Sequence, residues 1–167
     1  DFGTRALGSQ YDYVRAMLAV RGYWSPFPKL ADFVVAGRGV YQVASRGTPF
    51  FSMNIMPFTE DPRTGLGGVR TLRGFKSDRF VGPVMALGNL ELRWTFARTK
   101  VLGQQFAFIG VPFLDMGRTF DQIRRTTLRD WDRAQGAGLR VAWNLATVIM
   151  VDYGVSSEDS GLYINFG

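Results

Sequence analysis

Between Met85 and Phe96 the run MALGNLELRWTF sends Leu90, Leu92, Trp94 and Phe96 one way and Asn89, Glu91, Arg93 and Thr95 the other. A repeat of two belongs to a pleated strand with one apolar and one mixed face, not to an amphipathic helix, whose apolar positions recur every three to four residues. The pattern returns along the chain. From Tyr11 to Trp24, Val14, Ala16, Leu18, Val20 and Trp24 alternate with Tyr13, Arg15 and Arg21. From Ala31 to Val43, Phe33, Val35, Tyr41 and Val43 oppose Asp32, Arg38 and Gln42. Residues 105–117 read as a strand apolar on both faces up to Asp115, with a local irregularity at Pro112, which removes a ladder hydrogen bond. Residues 136–144, 147–155 and 161–167 bring the count to seven strands, and DFGTRALG at 1–8 is a candidate remnant of an eighth. The expectation is one all-β, antiparallel domain over 1–167.

The connections alternate in length. SPFPKL, ARTKVLGQ and LA, at 25–30, 97–104 and 145–146, are short; 44–83 and 118–135 are long; SSEDS at 156–160 is modest. In an up-and-down meander alternate connections share an end, so the short ones lie at one rim and the long ones at the other, as in a transmembrane β-barrel. Trp24, Trp94 and Trp143 all fall on apolar faces beside short connections, with Phe96, Phe106 and Phe166 at the same end. That is the placement of an aromatic girdle at a membrane interface. One parity per strand also directs Arg15, Arg21, Arg38, Glu91, Arg93 and Arg140 to the mixed face. The opposite parity would set arginines against lipid at about 2–4 kcal/mol each near the midplane. The mixed face is then a lumen. A soluble β-sandwich with one solvated face per strand shows the same alternation and stays open at this point.

Composition narrows function by exclusion. With no His and no Cys the chain lacks the commonest general base, the commonest zinc ligand and any thiolate, so no catalytic residue, metal or cofactor is expected. The net charge of +6 comes from arginines dispersed between Arg5 and Arg140, with no long basic run, and nucleic acid is not expected as a partner. No apolar run approaches the roughly 20 residues of a membrane helix.

Within the long connection 44–83, GGVRTLRGFKSDRF at 67–80 places three glycines and three arginines around two phenylalanines. This stretch and its surroundings resemble the Omp85 superfamily, the bacterial surface antigen group of outer-membrane barrels that includes BamA and TamA. The matching series is PFF at 49–51, GG at 67–68, LRGF at 72–75, GNLELRW at 88–94, FLDMG at 113–117, GAGLRVAW at 136–143 and VDYG at 151–154. The resemblance spans nearly the whole chain, in the order of the C-terminal part of the family barrel. It implies a sixteen-stranded barrel in the bacterial outer membrane whose long loop folds back into the lumen, with Leu72, Arg73, Gly74 and Phe75 at its tip and Gly67 and Gly68 leading into it. It further implies that Arg73 contacts acidic residues of the inner wall, for which Glu91 and Asp115 are the candidates. Gly67, Gly68 and Gly74 suit such a loop because they permit positive φ and close backbone approach. A fork of guanidinium donors matches a carboxylate, and breaking such a pair in a buried site costs about 3–5 kcal/mol. Asp152 shares the lumenal parity and is read as structural; Phe50 and Phe51 fit either an anchor of the loop against the wall or ordinary packing; RRTTLRDWDR at 124–133 reads as a solvated extracellular loop.

Seven or eight strands are about half of such a barrel, so the rest of the wall is expected from further chain or from another subunit. The function implied is insertion, assembly or translocation of other polypeptides, by strand addition at a seam that opens to lipid. A passive pore, or a barrel that anchors a passenger domain, is the alternative. The implied partners are outer-membrane lipids, unfolded or translocating polypeptide clients and the remainder of the barrel.

Overall fold

A computed structural model of the chain describes residues 2–3, 10–27, 32–53, 55–56, 65–144 and 146–167. Eight strands are formed: β1 (Phe2–Gly3), β2 (Tyr13–Trp24), β3 (Phe33–Ala44), β4 (Val84–Val101), β5 (Gln104–Phe120), β6 (Asp132–Trp143), β7 (Thr147–Ser156) and β8 (Ser160–Phe166). They make one sheet in chain order, every neighbouring pair antiparallel. A single helical turn, α1 (Phe50–Met53), and a 3₁₀ turn at 123–125 are the helical elements among the described residues.

Alternation sorts the two faces as the sequence implies. Val14, Leu18, Val20 and Trp24 of β2, Leu90, Leu92, Trp94 and Phe96 of β4, and Leu162, Ile164 and Phe166 of β8 are all exposed on one face. A soluble sheet would bury such a face; an apolar face left exposed is what the lipid side of a transmembrane barrel presents. No helix among the described residues is long and apolar enough to cross a membrane. At 12 residues, β2, β3 and β6 have the length a tilted strand needs to cross the hydrocarbon.

The inner face is packed where the long connections emerge. Val40, Met85, Leu87 and Ala134 from the wall bury Met56, Leu66, Leu72 and Phe75 from the 45–83 connection. Three large side chains, Leu66, Leu72 and Phe75, each contribute about 1.5–3 kcal/mol by leaving water. A smaller cluster of Val84, Ala86 and Phe120, joined by Tyr41, Val43 and Trp131, lies on the outer face at the same end.

Several boundaries differ from expectation. ARTKVLGQ is mostly strand: β4 and β5 continue to a two-residue turn at Leu102 and Gly103, where φ is +50° and +81°. Two positive φ values in succession make the tight hairpin whose twist matches its strands. Asp132 and Arg133 belong to β6, and Trp131 turns back onto the outer cluster rather than into solvent. Pro112 stays paired with Ala137 of β6, while toward β4 the register runs from Glu91↔Phe113 to Trp94↔Gly110 and shifts between Thr95 and Ala97. The register is thus the same on both sides of Pro112, and the irregularity sits instead in β4, opposite Phe108 and Ile109. Phe50 and Phe51 are 73% and 69% exposed and so do not bury against the wall. Of DFGTRALG, Phe2 and Gly3 pair with Val14 and Tyr13; the rest of it, like parts of the 25–31 and 54–64 segments, lies outside the described residues.

Candidate functional site

Residues 65–75 are pulled onto the inner face by three sets of contacts. At the base, the Ala44 N–H donates to the Pro83 carbonyl at 2.6 Å and closes the connection. On the first limb, Arg15 of β2 donates to the Ser52 and Ile55 carbonyls at 2.6 and 3.3 Å. Nearer the tip, the Thr71 hydroxyl accepts the Gly67 N–H at 2.9 Å, and Asn89 of β4 donates to the Thr71 carbonyl at 2.7 Å.

Gly67, Gly68 and Gly74 have φ of +121°, +87° and +87°, a region in which side chains are strained. Gly74 is doubly constrained: a Cβ there would sit 2.9 Å from the Val155 carbonyl carbon of β7. Across the contact, a Cβ on Gly154 would lie 3.1 Å from that of Arg73. Two facing glycines let the loop backbone touch the wall backbone. That approach delivers Arg73 to its partners.

Arg73 is 5% exposed and Asp115 fully buried. The pair is bidentate: Nε donates to Oδ2 at 2.8 Å and Nη2 to Oδ1 at 2.9 Å, and the Arg73 N–H donates to Oδ2 at 3.1 Å. Nη1 divides between Glu91 of β4 at 3.0 Å and Asp152 of β7 at 3.2 Å. The guanidinium carbon lies 3.5 Å from the centre of the Phe113 ring. Burial works against the charge, but the Asp115 hydrogen bonds, then the charges of Asp115, Glu91 and Asp152, raise the Arg73 pKa above its ordinary value.

Each carboxylate has further donors, as a buried charge requires. Asn89 donates to Asp115 at 2.7 Å and is itself held by Arg38, whose Nε and Nη2 reach its Oδ1 at 2.9 and 2.7 Å. Arg140 of β6 donates twice to Asp152, at 2.5 and 2.8 Å. Arg93 donates twice to Glu91, at 3.0 and 2.8 Å. One loop residue is thus tied to β4, β5 and β7. The neighbouring backbone reaches the eighth strand: the Gly74 N–H donates to the Tyr163 hydroxyl of β8 at 2.9 Å, and Ser156 donates to the Gly74 carbonyl at 2.7 Å.

Arg73, Glu91 and Asp115, nominated from the sequence, meet in space, with Leu72 and Phe75 buried beside them. Glu91 pairs with both Arg73 and its own strand neighbour Arg93. Asp152, read as structural, is a direct partner of Arg73. Asn89, Arg38 and Tyr163 were not nominated; parity placed the first two on the inner face, but nothing in a single sequence says which polar side chains there meet. Trp24, Trp94 and Trp143 lie apart from this site, exposed on the outer face. Trp94 stacks on Phe33 at 5.6 Å and leans on Phe96 at 5.8 Å, and Trp143 stacks on Phe106 at 6.2 Å.

The chain matches the Omp85 superfamily domain over residues 1–167, its full length. The chain belongs to the Omp85 superfamily. None of the curated proteins matches it. Omp85 proteins are outer-membrane transporters or assembly factors rather than enzymes, and the eight-stranded sheet is a piece of an Omp85 barrel wall with its apolar face toward lipid. At that level the function is insertion or transport of protein at the outer membrane.

Proposed function

We propose that this chain is the C-terminal part of an outer-membrane barrel that inserts or translocates polypeptides, and that the 65–83 segment is the latch setting the register of its wall. The observation that carries this is the single guanidinium joined to carboxylates of three strands. A loop that only covered a pore would need one anchor. A loop joined to β4, β5 and β7 and, through Tyr163, to β8 opposes any sliding of the terminal strands past their neighbours. Strand addition to a client demands that β8 be held at the right height until a client displaces its contacts. Polypeptide clients, membrane lipids and the remainder of the barrel are the partners in this reading, and Trp24, Trp94 and Trp143 set the depth of the wall in the bilayer.

The test is insertion of a radiolabelled barrel client into vesicles containing the whole protein, with Arg73→Ala and Asp115→Asn compared with the parent. Both variants should form strands by circular dichroism and lose insertion. Normal insertion by a folded Arg73→Ala protein would remove the latch from the mechanism. Strict dependence of a fused activity, rather than client insertion, on the barrel would favour the anchoring alternative.

A further inference from the structure

Two arginines stand on the face of the sheet that is otherwise apolar. Residues directly opposite one another in an antiparallel pair share a face. Leu114 of β5 is paired with the outward Leu90, so Met116, Arg118 and Phe120, at alternate positions beyond it, also face outward. Arg133 of β6 is paired with Met116 and takes the same face. Asp132, between Trp131 and Arg133, is paired with Gly117 and takes the opposite, lumenal one. Arg118 and Arg133 are thus diagonal neighbours across β5 and β6, about 7–8 Å apart at their α-carbons, close enough for two long side chains to reach one anion.

A cation on the lipid side is costly at the midplane and tolerated near an interface, so height decides. Phe33 and Val43 of β3 are ten residues apart and are paired with Trp94 and Val84 of β4. At about 3.4 Å per residue and a tilt of about 40° they span roughly 26 Å, the height of the apolar band of a barrel. Trp94, stacked on Phe33, marks one boundary of that band. Tyr41, Val43, Phe120 and Trp131, packed in the outer cluster, mark the other. Arg118 lies two residues from Phe120 and Arg133 two from Trp131, so both reach the second boundary, where hydrocarbon gives way to headgroups.

Arg118 is also held in place. Its Nη1 donates to the Arg129 and Asp130 carbonyls, and its guanidinium carbon lies 5.8 Å from the centre of the Phe120 ring. The connection above it is fastened to the wall, Trp131 donating to the Thr127 carbonyl at 2.6 Å and the Tyr41 hydroxyl meeting that of Thr126 at 2.9 Å. Arg133 is exposed beside it. A guanidinium fork matches phosphate oxygens, and Leu114 and Leu90, further down the same face, offer the apolar surface that acyl chains need.

We propose that Arg118 and Arg133 form a site for the phosphate of an anionic lipid headgroup at the rim of the long connections, with the lipid's chains lying on the wall below. The inference rests on the outer face being the lipid side; client insertion plays no part in it.

The whole protein in non-ionic detergent micelles is titrated against phosphatidic acid carrying a fluorophore on one acyl chain and, separately, against the matched phosphatidylcholine. Phosphatidic acid should bind more tightly. The double variant Arg118→Gln with Arg133→Gln should lose roughly tenfold in affinity for it, since each arginine near an anionic headgroup is a substantial attraction. Replacing both by Lys should keep most of the binding. Arg79→Gln, at the same rim but away from this face, should bind as the parent does. Heat-modifiable gel migration checks that each variant is folded; should the double variant fail, Arg133→Gln alone carries the test. Equal binding of the two lipids, unchanged affinity in a folded variant, or an equal loss from Arg79→Gln overturns the site. Displacement of phosphatidic acid by inorganic phosphate at equal concentration overturns the lipid assignment in favour of a free anion. A parent that needs detergent and migrates as a barrel yet prefers neither lipid refutes the site and leaves the lipid-facing wall standing; a parent that stays dissolved without detergent refutes the wall, and the site with it.

Discussion

The two long connections of this sheet leave the same rim with opposite fates. The 45–83 segment turns in and buries Leu66, Leu72, Arg73 and Phe75, whereas 121–130 stays in solvent with Ile123 and Leu128 exposed. Both are rich in arginine, so arginine content does not decide. Three features separate them. The first has glycines at +φ that allow a reversal against the wall, apolar side chains that bury on arrival, and carboxylates on the wall opposite. The second bonds mostly to itself and to the strand rim beside it: Trp131 donates to the Thr127 carbonyl, Arg118 of β5 to that of Asp130, Thr126 meets the Tyr41 hydroxyl of β3 at 2.9 Å, and Arg125 pairs loosely with Asp121 at 3.7 Å. Ionic contacts fix where an inserted loop stops; apolar burial and glycine geometry let it enter.

The largest expected effect tests that contrast directly. Arg73→Ala leaves Asp115 buried, with Asn89 as its remaining side-chain donor and Glu91 and Asp152 nearby, and should destabilise the folded wall by about 3–5 kcal/mol. Arg125→Ala in the exposed connection should change nothing measurable. Urea titration of the folded, unboiled gel band reads both. A double-mutant cycle of Arg73→Ala with Asp115→Asn should show strong coupling; additive losses would mean that the arginine packs against Phe113 without using the carboxylate.

Next comes the glycine contact. Gly74→Ala forces a side chain to positive φ and into the β7 backbone, at a cost of about 1–3 kcal/mol. Its effect should be local: faster proteolysis within 65–83 while the strands stay protected. If proteolysis of 65–83 is unchanged, the close backbone approach does not hold the loop.

How much of this was legible follows from which rule governs each part. Strand identity and facing follow from alternation, which is local, so the apolar faces of β2 and β4 and the all-β fold can be read from residues 11–24 and 85–96. Strand ends are less legible. Arg98 and Lys100 make 97–101 look like a connection, yet a two-residue turn at Leu102 and Gly103 lets both strands continue. Arg73 stands out because its glycine and phenylalanine neighbours form a motif, and Glu91 because parity turns it inward. Tyr163 carries no such mark. Its contact with Gly74 spans 89 positions and depends on how far the loop descends, a property of the packed whole.

Tyr163→Phe is accordingly a sharper and smaller test. It removes one hydroxyl, leaves the ring and deprives the Gly74 N–H of its acceptor, which should cost about 0.5–1.5 kcal/mol. If the latch holds β8 through this contact, hydrogen exchange at 160–166 should speed up while β4 and β5 stay protected. A uniform change across all strands would mean that Tyr163 contributes general stability rather than a tether for the last strand.

The smallest effect belongs to an arginine six positions beyond the tip. Arg79 meets Glu158 through two hydrogen bonds, at 2.7 and 3.1 Å, a geometry close to that of Arg73 with Asp115. The Glu158 hydrogen bonds and charge raise its pKa, but its side chain is 48% exposed and water competes for every contact. Arg79→Ala should therefore leave the urea midpoint unchanged within error, and added salt should not distinguish variant from parent. Comparable losses from Arg79→Ala and Arg73→Ala would show that pairing geometry, not exclusion of water, is what makes a loop arginine hold the wall.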